Sequence, residues 1–384
     1  MAKKKKSGGL FNSIKEFFQE LFIKSDYVDY PLMFVTLFLV VFGLVMVYST
    51  SSYTAELKLG QATYYLVRQG MFALLGVCVM LFISRMDYHF LKKFSVPLML
   101  VVIVLLVALP FVGVESHGAV RWINIFGFQF QPSEFAKPII ALFTAHIASI
   151  KSARIGELKI MAKVLILPVI AIVLITSENL STGIICTAIA CVIVFVTSPK
   201  VKQFLVIGGI LVCVMIGFLL VASYRLERID IWLNPEKYDS GYQTLQSLYA
   251  IGSGGLFGKG LGQSIQKLGF IPESHNDYIF SVVCEELGLF GAICVIGMFM
   301  FLIWRCVIIA VNTEDLYGAL IVVGIITHIA VQVLVNIAVV TNSIPPTGVP
   351  LPFISYGGTA LVCVLAEVGI VLSVSRHLRV AKEY

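Results

Sequence analysis

The chain has 384 residues, 58% of them hydrophobic and only 13% charged, with a formal net charge of +6 and a mean hydropathy of +0.93. Soluble chains carry roughly a quarter charged residues, so these values exclude a soluble enzyme or a nucleic-acid-binding domain and indicate a polytopic membrane protein. The eight cysteines lie in or beside apolar runs and never form CxxC, which excludes a zinc-ribbon or disulfide framework and makes them packing residues.

Residues 1–30 begin with four consecutive lysines and continue as LFNSIKEFFQELFIK, which puts Leu10, Ile14, Phe17, Phe18 and Leu21 on one helical face. Charges interrupt its apolar run, so it reads as an interfacial helix and not as a cleavable signal. A membrane domain over 31–375 follows. Its apolar runs, of the length a bilayer crossing needs, lie near 31–50, 66–84, 95–114, 134–150, 161–176, 183–198, 204–223, 287–310, 318–340 and 360–375. The expected fold is therefore an all-α polytopic membrane protein with ten transmembrane helices and both termini on one side. Most of the 28 Lys and Arg fall on the side of the termini, which places 1–30 and the tail 376–384 in the cytoplasm. The loops 115–133, 177–182, 224–286 and 341–359 then face outward, and the large one, 224–286, lies between the seventh and eighth helices.

Two of these outward loops carry polar clusters. In 115–138, ESHGAVRWINIFGFQFQPSEFAKP, Arg121 sits in a glycine-punctuated loop, and Glu134 and Lys137 share the first turn of the fourth span. A lone cation there is usually a snorkelling side chain. Two cations beside an acid at the outer boundary suit a diphosphate whose lipid tail stays in the bilayer. The stretch IGSGGLFGKGLGQS resembles a phosphate loop, but Ser253 and Gly260 stand where that pattern needs Gly and Ser or Thr. A close-packed turn built on glycine is the better account.

The segment GFIPESHNDYIFSVVCEELGLFG brings Glu273, His275, Asp277, Glu285 and Glu286 to the entrance of the eighth span. Ser274, His275 and Asp277 are too close in sequence for a hydrolytic triad, and His275 with Asp277 lacks the i, i+4 spacing of a helical metal pair. If a helix begins after Pro272, Asp277, Ser281, Cys284, Glu285 and Gly288 share a face. Two readings stand for Asp277: a helix-start acid favoured by the macrodipole, or a partly desolvated general base. Deeper in the bundle, His328, Gln332 and Asn336 form an i, i+4, i+8 stripe that reads as interhelical hydrogen bonding, and Glu367 marks a cavity or pathway.

These segments, with PPTGVPLPFISYGGT, resemble the SEDS family (shape, elongation, division and sporulation) from the first apolar run to the tenth, and SIQK before IPESHNDYIF resembles the FtsW-type division and spore-cortex branch. The resemblance implies a peptidoglycan glycosyltransferase that polymerises lipid II outside the plasma membrane. Its expected partners are a single-pass class B penicillin-binding transpeptidase and other divisome or sporulation membrane proteins. It implies Asp277 as the essential acid, and Arg121, Lys137, Glu134, Gln131, Glu273, His275, Lys267 and Ser355 as the substrate-binding set. No nucleotide is required, because lipid II carries its own sugar-diphosphate bond; the cations act with or without a divalent ion, Mg2+ or Mn2+. The sequence departs from the family pattern at Asn276, where Thr is usual, and at SENLSTG, where a PDLGT-like loop is common. A lipid II flippase and a non-catalytic scaffold are the rival readings. A flippase needs a polar route through the midplane, for which His328, Gln332 and Glu367 are the candidates.

Overall fold

The computed structural model describes residues 27–116, 119–125, 128–200, 203, 229–238 and 241–378. The helices are α1 (Tyr30–Leu59), α2 (Tyr64–Arg85), α3 (Tyr88–Val112), α4 (Pro132–Lys151), α5 (Leu158–Glu178), α6 (Leu180–Thr197), α7 (Tyr242–Ser253), α8 (Ile279–Asn312), α9 (Leu316–Val340) and α10 (Gly358–Ser375). Eight of these are long and apolar enough to cross a membrane. The 20-residue α4 has the length as well, with Glu134 in its first turn. Nine of the ten expected spans thus coincide with described helices; the run at 204–223 and the amphipathic segment before residue 27 lie outside the described residues.

Two spans, α1 and α8, extend well beyond their apolar runs. α1 continues to Leu59 because Thr50 and Ser51 return their hydroxyls to the carbonyls of Met46 and Val47, at 2.8 and 2.6 Å, so polar side chains are satisfied inside the helix. It ends at Gly60, whose φ of 66° is a left-handed cap. α8 starts at Ile279, not after Pro272, so Asp277 precedes the helix and does not share its face. The loop after α3, expected to face outward, is also more than a loop. β1 (Val114–Ser116), β2 (Ala119–Ile125) and β3 (Phe128–Phe130) form an antiparallel sheet in the order β1-β2-β3. Alternating β-branched and aromatic residues in AVRWINI favour this pairing, and the fold is all-α only in its membrane-crossing part.

α9 is the hub, packed against α4, α6, α8 and α10. α2 and α10 run parallel and close. A Cβ on Gly76 would lie 2.6 Å from Leu365 and one on Gly369 would lie 2.7 Å from the carbonyl oxygen of Met80. Small residues allow this approach where van der Waals packing drives helix association.

α8 is broken. Gly288 has φ 68° and ψ −167°, which separates two helical halves. An unbroken helix would bond Leu289 N–H to Glu285 C=O and Phe290 N–H to Glu286 C=O. Instead, Glu285 and Glu286 accept from the N–H groups of Lys259 and Gly260, both at 2.9 Å, while Leu289 and Phe290 donate to Gly255 and Leu256 at 2.9 and 3.1 Å. The glycine-rich turn therefore replaces the missing helical bonds one for one. This approach excludes side chains: a Cβ on Gly288 would lie 2.4 Å from the Gly258 nitrogen. We expect Gly288→Ala to destabilise the chain by more than about 2 kcal/mol, combining a left-handed backbone with backbone overlap. Gly297→Ala on the same helix, where a Cβ meets nothing within 4 Å, should change stability by less than about 0.5 kcal/mol. Thermal unfolding of both variants in the same detergent distinguishes them, and equal effects would contradict the account of the break.

Candidate active site

The segment before α8 is held through its main chain. Gln243 on α7 donates to the carbonyl of Pro272 at 2.8 Å, Tyr356 N–H to that of His275 at 2.9 Å, and the Ser355 hydroxyl to that of Asn276 at 2.6 Å. The Asn336 amide on α9 donates to the carbonyl of Asp277 at 2.7 Å. Ser274 reaches across to Thr50 C=O on α1 at 3.1 Å. Asp277 is thus fixed by its own carbonyl and those of the two residues before it, and its side chain is only partly exposed. Glu273 is exposed, with φ 52°, and accepts from the Asn276 amide at 2.8 Å.

His275 is buried between Tyr65 and Tyr356, with ring centroids 4.4 and 5.5 Å away. Burial holds its pKa down to about 4, so the ring is neutral near pH 7 and brings no positive charge to a substrate. Ser355 is also occupied, since its hydroxyl donates to Asn276 C=O and accepts from Leu351 N–H at 2.8 Å. Its role here is to position the acid segment. Gln69 on α2 supports the same turn, donating to Ser355 C=O and accepting from Gly357 N–H, both at 3.1 Å.

Lys137 lies inside the bundle at 2% exposure, bonded to Glu134 at 2.8 Å and to the Gln332 oxygen at 3.0 Å. Gln332 donates its amide to Pro350 C=O at 2.9 Å, which fixes that oxygen as the acceptor for both Lys137 and His328 Nε2, the latter at 2.7 Å. His328 Nδ1 meets Glu367 at 2.7 Å. His328 thus bridges the Gln332 oxygen and the Glu367 carboxylate, while Lys137 pairs with Glu134, so each buried acid of the network has a basic partner. Beside them a cavity of about 10 Å³, lined by Glu134, His328, Gln332 and Ser355 among others, has about the room that one water needs. Asn336 is one helical turn beyond Gln332, so the same face of α9 holds both the Lys137 network and the Asp277 backbone.

The other expected residues divide by exposure. Arg121 on β2 is half-buried and donates Nε to the carbonyl of Glu178 at 3.2 Å, tying the sheet to the end of α5. Only Asn179 separates α5 from α6, and its side chain caps α6 by accepting from Ser181 and Thr182 N–H at 3.1 and 3.2 Å. Gln131 is half-buried and donates to the Ser133 hydroxyl at 3.1 Å. Lys267 is 5% exposed and bonds Glu286 at 2.7 Å and Ser49 at 2.9 Å. Lys259 bonds Glu285 at 2.7 Å, and the Ser264 hydroxyl donates to the same carboxylate. In this conformation Lys137 and Lys267 neutralise buried carboxylates, leaving Arg121 as the more accessible of the expected cations. Sequence reasoning missed Ser49, Tyr65, Gln69 and Tyr356. Polar groups inside apolar runs, as in YYLVRQGMF, were the available signal.

The chain matches the cell cycle protein family of FtsW, RodA and SpoVE over residues 30–380. It is 40% identical to stage V sporulation protein E of Bacillus subtilis (strain 168), covering 91% of this chain and 98% of that one. It is 36% identical to a probable peptidoglycan glycosyltransferase FtsW of Geobacter sp. (strain M18), with 91% and 97% coverage. Among solved structures, it superposes on a chain of a peptidoglycan synthase complex, described as coordinating polymerization and crosslinking, with a TM-score of 0.78, 25% identity and 92% and 100% coverage. Thermus thermophilus rod shape determining protein RodA has the same fold, with a TM-score of 0.68, 24% identity and 92% and 98% coverage. A multi-pass bundle with its acid segment pinned to α9, and likeness along nearly its whole length, establish that this chain belongs to the SEDS family of FtsW, RodA and SpoVE.

Proposed function

We propose that this chain is a peptidoglycan glycosyltransferase that polymerises lipid II into β-1,4-linked glycan strands at the outer face of the plasma membrane, in division or sporulation, releasing undecaprenyl diphosphate. The observation that carries the proposal is the partly exposed Asp277 carboxylate on a segment clamped through the carbonyls of residues 275, 276 and 277. A fixed base aligned with a reacting hydroxyl avoids reorganisation in the transition state. Asp277 takes the proton from the acceptor sugar hydroxyl. The freed oxygen attacks the anomeric carbon of the donor, whose bond to the diphosphate oxygen breaks on the opposite face. An α-linked donor thereby gives a β-linked product.

Charge develops on the departing diphosphate. Arg121 is the more exposed of the two cations assigned to it and meets that charge, while Lys137 is held by Glu134 and Gln332 in this structure. Among the described residues, no trio of ligating side chains includes Asp277. The residues present therefore do not form a cage for Mg2+ or Mn2+. Such an ion would take most of its ligands from diphosphate and water, and no step is assigned to it. The proposed partner is a single-pass class B penicillin-binding transpeptidase, together with other divisome or sporulation membrane proteins. The solved complex that couples polymerization to crosslinking supports this reading.

The buried network from Lys137 to Glu367 is the observation that favours transport, because it places polar groups inside the bundle. Its groups bond one another and each acid has a basic partner, so it has the character of interhelical bonding and not of a route for a diphosphate. With lipid II supplied only in the leaflet nearest Asp277, vesicles containing the chain and its partner should make glycan strands. A strict need for substrate in the opposite leaflet would favour the transporter.

Asp277→Asn should reduce strand synthesis from lipid II by about 100- to 10,000-fold without changing the unfolding temperature, and near-normal product would leave the scaffold reading. Ser355→Ala removes one donor from the clamp and should slow synthesis on the order of ten-fold, less than the roughly 100-fold of a 1 Å misplacement. Arg121→Ala should cost at least about ten-fold in turnover, whereas Lys237→Ala, exposed on the outward loop, should cost little; equal effects would move the diphosphate site elsewhere.

A further inference from the structure

At the end of the bundle opposite Asp277, the turn between α2 and α3 meets the start of α9 and the end of α10. Asp87, His89 and His377 each present one ligand atom there, and these atoms all lie within 4.8 Å of one another. His89 Nδ1 is 2.7 Å from Asp87 Oδ1, and His377 Nε2 is 3.6 Å from the same oxygen. We propose that these three side chains form a site for a transition-metal dication, Zn2+ by preference, that fastens α10 to the α2–α3 turn.

The outer nitrogens of the two rings support this assignment. His89 Nε2 faces Asp315 Oδ2 at 3.4 Å, and His377 Nδ1 faces the carbonyl of Ser373 at 3.2 Å. Metal-binding histidines characteristically donate their second N–H to a carboxylate or a backbone carbonyl, which fixes the ring and turns the other lone pair toward the ion. Both rings here are oriented in this way, by different elements, and both inner nitrogens converge on one carboxylate. Asp315 is itself fixed, since its Oδ2 accepts from Gly318 N–H at 3.0 Å and from the Tyr88 hydroxyl at 3.1 Å. Tyr88 packs against His89 with tilted rings, centroids 4.1 Å apart, and lies edge-on to His377 at 4.9 Å, holding the rings together.

Two imidazoles and one carboxylate make an N2O donor set, which suits Zn2+ and its neighbours better than Mg2+ or Ca2+, whose ligands are oxygens. The side chains of Asp87, His89 and His377 are 30%, 45% and 29% exposed, so a fourth position is open to water. The competing account is a cluster of hydrogen bonds in which both rings simply donate to Asp87.

The test uses the full chain in nanodiscs, purified with a histidine-free tag, stripped of metal by a chelator and titrated with Zn2+ against a chromophoric competitor. One equivalent should bind with micromolar or tighter affinity and raise the unfolding temperature. The His89→Gln, His377→Gln double variant should bind at least 100-fold more weakly. Asp315→Asn, which leaves all three ligands in place but loosens His89, should weaken binding by about 10- to 100-fold. Co2+ on the unmodified chain should give the intense visible bands of a four-coordinate site, a readout that needs no variant to fold. No stoichiometric Zn2+ binding, equal affinity in the double variant, or only the weak spectrum of hydrated Co2+ would overturn the proposal in favour of the hydrogen-bonded cluster.

Discussion

A backbone N–H or C=O left without a partner in hydrocarbon costs several kcal/mol, and α8 frees four such groups where it breaks at Gly288. The glycine-rich turn at 254–260 answers all four with main-chain bonds. That solution fixes much of the surrounding chemistry. It brings Lys259 within 2.7 Å of Glu285, and the chain that continues from the turn brings Lys267 to Glu286 at the same distance. Two buried acids are thereby neutralised, and the first half of α8 is anchored at a fixed height. Asp277, two residues before that half-helix, inherits its position from this joint as well as from the α9 clamp.

The same requirement governs the interior between α4, α9 and α10. Burying one charge alone is prohibitive, whereas a hydrogen-bonded set with no net charge is tolerated. Lys137 therefore brings Glu134, and Glu367 brings His328, with Gln332 joining the two pairs. α9 supplies three polar side chains on successive turns, of which the last, Asn336, reaches Val349 C=O at 2.8 Å as well as Asp277. Interior charge balance and placement of the acid are thus properties of one helix face.

Much of this was legible in the sequence where the signal is local. Apolar run length located the described spans, and the stripe His328, Gln332, Asn336 was readable from its period alone. What joins residues distant in the chain was not. Lys137 and Lys267 read as cations near an outer surface, because hydropathy reports position along the chain and not which carboxylate waits on another helix. The apolar run of the eighth span begins only at 287, although α8 starts at Ile279, because buried, paired Glu285 and Glu286 look in sequence like loop acids. The break at Gly288 has no local mark beyond a glycine, since its cause is the approach of a turn some thirty residues earlier. The strands of the sheet between α3 and α4 are three to seven residues long, too short for alternation to stand out beside long apolar helices.

The hydrogen bonds that hold Asp277 run to main-chain carbonyls, which every residue type possesses. The identity of a neighbour such as Asn276 therefore has little bearing on where the acid stands, because Ser355 grips the peptide and not the amide side chain. Another polar residue at 276 would leave the same main-chain bonds in place. The position of the carboxylate depends instead on the donors, Ser355 and Asn336, which are remote in sequence from the acid they serve.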